Sequence, residues 1–164
     1  MTPRAQELID QLALQPHPEG GFYAEVHRAA HGVTPGDGRG RRAALTSIYF
    51  LLPAGAVSRW HVVRSDEAWI HLEGAPIALH QIDGPSCRAW TTRLGPVDAA
   101  LRPQATVAAG LWQAAQTEGE FSLAACLVAP GFEFSDFRLM DAAAGDAALA
   151  GWLRRERPEL AALI

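Results

Sequence analysis

The segment GAVSRWHVVRSDEAWIHLEG, Gly55–Gly74, carries the residues most able to do chemistry: an imidazole at His61, a carboxylate at Glu67 and bounding glycines. If a short Arg64–Asp66 turn joins two strands, alternation puts His61 on one face with Val63 and Arg59. The same rule puts Glu67 on a face with Trp69, His71 and Glu73, and the two faces converge. Imidazole plus carboxylate suits a divalent transition metal, which wants three or four protein ligands and an open position. Two residues do not make that site. A single histidine on a strand reads equally as a hydrogen-bonded wall residue.

The rest of the chain must position this pair. It has 164 residues, 49% of them apolar, enough for one domain with a sizeable core. A net charge of −4 gives no concentrated positive surface for nucleic acid. Cys87 and Cys126 lie far apart without a CxxC and read as two reduced thiols. No signal peptide and no run of about 18 apolar residues is present, so the expectation is a cytoplasmic protein without a membrane span.

Ala5, Leu8, Ile9 and Leu12 form one helical stripe, capped by Thr2 with Pro3 in the first turn and stopped by Pro16. Ala30–Arg42 (AHGVTPGDGRGRR) reads as a flexible, solvated loop. From Leu45 to Phe137 come short β-like runs: LTSIYFLL, VSRWHVV, EAWIHLE, IALHQI, CRAWTTRL, TVAA, LWQAA, FSLAACLV and FEFSDF. Many short strands at even spacing predict an antiparallel sandwich or barrel. The tail, with Leu149, Trp152, Leu153 and Leu160–Ile164, predicts one or two helices packed outside it.

With strands in place, a wider pattern emerges. Gly55, five residues, His61, one residue, Val63, three residues, Glu67, six residues and Gly74 resembles the first cupin motif, with Val63 where its second histidine belongs. Ala108–Gln113 (AAGLWQ) resembles the second motif, with Gln113 in place of its histidine. More narrowly, PHPEGGFYAE (16–25), SIYFLL (47–52), WHVVRSDEAWIHLEG (60–74), AGLWQAA (109–115) and VAPGFEFSDF (128–137) together resemble the cupin-5 family, DUF985. The resemblance implies an all-β core, a double-stranded β-helix or jelly-roll barrel with flanking N- and C-terminal α-helices, often paired as a homodimer. A single cupin domain then covers 1–164, with an N-terminal helix at 1–15, the barrel core at 45–137 and a helical tail at 142–164.

The resemblance implies less about activity, since fold does not settle function. It places His61, Glu67 and Gln113 in the metal-ligand slots. Valine cannot ligate and glutamine offers only a neutral carbonyl oxygen, so no cofactor is certain and a divalent ion is a weak expectation. In FEFSDF, Phe132, Phe134 and Asp136 share a face if the run is a strand. An inward Asp136 would orient His61 as a general base, with Tyr23 or Tyr49 as the opposing acid. Asp136 reads equally as capping a turn or pairing with an arginine. Glu19, before Gly20-Gly21, can point at the barrel mouth, or its motif can serve a tight turn alone.

Trp69 offers a flat wall for a ring-shaped ligand and His71 lines the same face. Trp60 and Trp112 face away, toward core or dimer burial. The expected function is isomerase- or epimerase-like proton transfer on a carbohydrate-like or anionic small molecule. The rivals are a metal-dependent oxygenase or lyase using His61, Glu67 and Gln113, and a non-catalytic metabolite-binding protein.

Overall fold

The computed structural model describes residues 1–164. The order is α1 (Pro3–Gln11), β1 (Gln15–Pro16), β2 (Phe22–Arg28), β3 (Gly32–Val33), β4 (Arg42–Ala43), β5 (Thr46–Pro53) and β6 (Val57–Val63). Then follow β7 (Asp66–Gly74), β8 (Ile77–Asp83), β9 (Arg88–Leu94), β10 (Gln104–Val107), β11 (Trp112–Thr117) and β12 (Phe121–Ala129). A 3₁₀ turn (Phe134–Asp136), β13 (Phe137–Leu139), α2 (Ala147–Glu156) and α3 (Pro158–Ala161) complete the chain.

Two antiparallel sheets face each other, with orders β1-β2-β5-β12-β7-β10 and β13-β6-β11-β8-β9. Consecutive long strands alternate between them, β5 in one and β6 in the other, β7 back in the first and β8 in the second. That alternation is the double-stranded β-helix of a jelly roll. The β-structure reaches beyond the expected 45–137 core, because β2 pairs with β5 and β13 pairs with β6.

Gly74 closes β7 at φ +89°, where a Cβ would meet the Phe121 carbonyl oxygen at 2.4 Å, so the bounding residue must be glycine. Between the sheets, Phe50, Leu52, Trp69, Ile77, Leu79 and Leu94 belong to the main apolar core, each at most 2% exposed. Period 2 sends their neighbours outward. Leu51 and Leu123 meet Leu8 and Leu14 under α1, and Trp60, Ile82 and Trp112 meet Leu153, Leu160 and Leu163 of the C-terminal helices. The Trp60 indole is fully buried and donates to the Leu160 carbonyl at 2.8 Å. The two tryptophans thus face away from the interior, as alternation with His61 and Gln113 requires.

Three local expectations change. Thr2 caps α1, accepting from Ala5 N–H at 3.2 Å, but the helix ends at Gln11, with Ala13 at φ +51°, well before Pro16. FEFSDF is not a strand: its centre is the 3₁₀ turn, which removes the shared face of Phe132, Phe134 and Asp136. The 30–42 segment is tied down rather than loose. It forms the β3–β4 hairpin, and Arg39 is 8% exposed. No helix is long and apolar enough to cross a membrane.

Candidate functional site

One end of the barrel interior holds a small cavity of about 40 Å³, partly open to solvent. His61 and Val63 from β6 and Glu67 and Trp69 from β7 all line it, which is the convergence that strand alternation predicts. Tyr23 from β2 and Ile48 and Phe50 from β5 complete much of the wall.

Glu19 reaches the interior through its turn. His17 N–H donates to Gly21 O at 3.0 Å and Gly20 N–H donates to His17 O at 3.0 Å, closing the turn on itself. The turn docks on β6, where Arg59 N–H donates to Glu19 O at 2.9 Å. Gly20 sits at φ +112°, and a Cβ there would lie 2.1 Å from the Val57 carbonyl oxygen. No side chain fits that approach, which explains the Glu-Gly-Gly sequence. The result is a carboxyl only 6% exposed, inside the barrel.

Two polar groups now meet. Glu19 Oε1 accepts from the Ser58 hydroxyl at 2.7 Å, and Oε2 lies 3.4 Å from both His61 Nε2 and His17 Nδ1. His61 Nδ1 lies 2.7 Å from the Arg59 carbonyl, which fixes its proton there and leaves the Nε2 lone pair facing Glu19. His17 Nδ1 accepts from the Glu19 backbone N–H at 3.3 Å, so its single lone pair is already engaged by the turn. In the second group, Gln113 donates to Glu67 Oε2 at 2.6 Å and accepts from Trp69 Nε1 at 3.0 Å. The Cys126 thiol faces the same carboxyl.

Burial without a basic partner sets the charges. It pushes the Glu19 carboxyl up to about 8, against the Ser58 hydrogen bond and the Arg59 charge. It pushes Glu67 up to about 7, opposed by His61 and by the Gln113 hydrogen bond. Burial likewise holds His17 down to about 4 and lowers His61. Near neutral pH Glu19 is therefore largely protonated and both imidazoles are neutral, while Glu67 is about half ionised.

Four expected site residues lie elsewhere. Asp136 does not orient His61: the 3₁₀ turn directs it to Arg42, whose Nε and Nη2 donate at 2.7 and 2.9 Å, and to Arg39 Nη1 at 3.1 Å. The Arg59 carbonyl takes the orienting role instead. Tyr49 is one residue out of phase with Ile48 and Phe50, so it packs under α1 on the far face of the sheet. His71 lies about 7 Å further along β7 than Trp69 and turns to the Ala75 carbonyl at 3.1 Å. Gln113 stands behind Glu67 and does not line the cavity.

The metal expectation fails the same inspection. Both ends of the Gln113 amide are committed to Trp69 and Glu67, Val63 supplies an apolar wall, and His61 Nε2 faces Glu19. No group of three histidine, cysteine, aspartate or glutamate side chains is arranged to hold a metal ion. His61, Glu67 and Gln113 do not fit a divalent ion, and no step below is routed through one. His17, Ser58 and Cys126 are site residues that sequence reasoning missed; HPEGG held the only signal, for His17.

The family description "Cupin superfamily (DUF985)" matches residues 6–140. The chain belongs to this cupin family. A hypothetical protein from Leishmania major is 32% identical, with 98% of this chain and 96% of that chain covered and a TM-score of 0.80. A protein from Shewanella oneidensis is 33% identical, with 97% and 96% covered and a TM-score of 0.83. Oxalate decarboxylase from Bacillus subtilis, 16% identical, covers 91% of this chain and 36% of that chain at a TM-score of 0.58, a likeness of fold alone. No curated protein sequence matches this cupin. Its chemistry must therefore be argued from its own cavity.

Proposed function

We propose that this cupin binds a small molecule in its barrel and performs proton transfer of the isomerase or epimerase kind. His61 is the base and Glu19, rather than a tyrosine, is the principal acid. One observation carries the reading: Glu19 Oε2 lies 3.4 Å from His61 Nε2 and 3.4 Å from His17 Nδ1. A proton on that oxygen faces the free lone pair of His61 Nε2, and the Ser58 hydroxyl holds the other oxygen in place.

A neutral imidazole beside a protonated carboxyl is the pairing that acid–base catalysis needs at neutral pH. The C–H proton next to a substrate carbonyl passes to His61 Nε2. The C–H electron pair becomes the enol double bond, and the carbonyl oxygen takes the Glu19 proton. Returning a proton to carbon, at the neighbouring position or on the other face, completes isomerisation or epimerisation. Tyr23, edge-on to His17 at 4.6 Å between ring centroids, lines the same cavity as a second donor.

The lining favours neither ligand class expected from sequence. It carries no arginine for an anion, and its walls are mostly apolar, with few partners for the hydroxyls of a sugar. The test is incubation with a panel of small carbonyl compounds in D₂O, read by NMR. Deuterium should enter the carbon next to the carbonyl of a bound compound, and His61→Asn and Glu19→Gln should each slow this by about 100-fold or more. Binding with no exchange in any compound would leave a non-catalytic binding protein.

A further inference from the structure

The cavity combines two features that together select a ligand charge. The first is a box of aromatic rings: Tyr23, Phe50, Trp69, Phe132 and Phe137. They meet at steep angles rather than in stacks, Phe50 against Trp69 at 87° and Phe132 against Phe137 at 61°. Rings turned this way enclose a rounded volume instead of a slot for one flat ring.

The second feature is charge sign. Glu19 and Glu67 are the only carboxyls lining the box, and no arginine lines it. Arg59, whose charge acts on Glu19, donates to the Pro18 and Glu19 carbonyl oxygens, and Arg28 donates to the Phe132 carbonyl oxygen. An anion would meet two acids and no counter-charge. A cation would meet aromatic walls and two carboxyls able to ionise against it.

We infer that the cavity binds a small organic cation, an alkylated ammonium or sulfonium group, with the aromatic rings around it and Glu67 and Glu19 as counter-charges. This rests on the reading of the cavity as a ligand site and names the ligand class. The methyl or methylene groups of such a cation bury against the rings, and its diffuse charge interacts with ring faces. The apolar wall at Val63 fits the same surface.

Binding is linked to protons. Glu67 faces His61 from β6, Cys126 from β12, the neutral Gln113 from β11 and Glu19 from the β1–β2 turn. Glu19 faces His17 in its own turn, and Ser58, Arg59 and His61 from β6. In the empty cavity burial holds Glu19 at about 8, largely protonated near neutral pH, and Glu67 at about 7, about half ionised there. A bound cation favours the carboxylates, so its binding releases protons, and its affinity rises as pH rises through this range.

The test is calorimetric titration of the wild-type protein with choline and with its neutral isostere, 3,3-dimethylbutan-1-ol, at pH 6 and pH 8. Choline should bind at least about ten-fold tighter than the isostere at pH 8. Its affinity should fall by about ten-fold at pH 6, with proton release detected by repeating the titration in a buffer of different ionisation enthalpy. Glu67→Gln should lose most of the preference for choline and most of the pH dependence. The wild-type proton release stands as an independent reading if that variant folds poorly.

Equal or tighter binding of the isostere would overturn the cation assignment and leave the cavity a ligand site. Binding of neither probe would overturn the assignment as well. The deuterium experiment judges proton transfer separately, so the two failures are told apart.

Discussion

Glu19 and Asp136 are two nearly buried carboxyls, 6% and 4% exposed, in opposite electrostatic states. Asp136 is gripped by Arg42 and Arg39, and those guanidiniums hold its carboxyl below the usual range despite burial. Glu19 has a serine, two imidazoles and no guanidinium on its carboxyl oxygens, and burial pushes it up to about 8. Burial alone therefore does not decide the charge of a carboxyl; the partner does. Asp136 ties the 30–42 segment to the turn beside the aromatic wall, while Glu19 is left free to exchange a proton. The first is an anchor and the second the acid of the proposed proton transfer.

Removing the anchor should have the largest effect. Asp136→Ala takes the buried carboxylate from Arg42 and from Arg39, which keeps only the exposed Asp37 at 2.8 Å, and breaking such a buried pair costs about 3–5 kcal/mol, toward the low end here. For a chain of this size that is a fall in Tm of about 10 °C, measurable by calorimetry. An unchanged Tm would erase the contrast between the two carboxyls. Acid should act in the same sense. The Asp136 pKa is lowered on folding, so its stabilisation is present above the unfolded value of about 3.8. That contribution is lost as pH falls through the folded value.

Glu19 should behave with the opposite sign. Folding raises the Glu19 pKa from 4.5 to about 8, so above 4.5 the folded state holds a proton that the unfolded chain has released. Stability is then lost as pH rises, by about 2 kcal/mol between pH 6.5 and 8.5 for this group alone. His17, lowered to about 4, offsets this only below its unfolded value of about 6.5. Denaturant melts at pH 6.5 and 8.5 should show the loss in wild type and a much smaller one in Glu19→Gln. Equal slopes for the two proteins would place Glu19 among the ordinary ionised carboxylates.

How far these roles were legible in sequence differs between the two regions. The barrel, the inward pair His61–Glu67 and the outward Trp60 and Trp112 follow from period 2 and motif spacing, because strand alternation is a local rule. Tyr49 fails as a site residue by the same rule, since Ile48 and Phe50 take the inner face. Of the two readings of Asp136, the inward one fails because FEFSDF has strand-like alternation yet turns as a 3₁₀ helix, and the arginine pairing stands. The pairing of Asp136 with Arg39 and Arg42 spans 97 and 94 residues, which no local pattern encodes. Glu19 and His17 were half visible: Gly20-Gly21 marks a tight turn, but only its docking on β6 shows that the turn feeds the interior.

The smallest effect tests how the second acid is held. Gln113 links Trp69 Nε1 to Glu67 Oε2, and it stands where a metal-binding cupin motif has a histidine. Gln113→Leu keeps the volume near that of glutamine but strips a buried indole N–H and a buried carboxyl of their partners. Each unmade bond of this kind costs about 1–3 kcal/mol, with relaxation of the site pulling the net effect toward the low end. The Gln113 hydrogen bond favours the ionised carboxylate, so losing it should raise the Glu67 pKa above about 7. In the choline titration, the pH at which affinity begins to rise should therefore move upward in Gln113→Leu. A variant that is destabilised but keeps the same pH midpoint would make Gln113 a packing residue only. A shifted midpoint would show that Gln113 sets the charge of the acid in front of it.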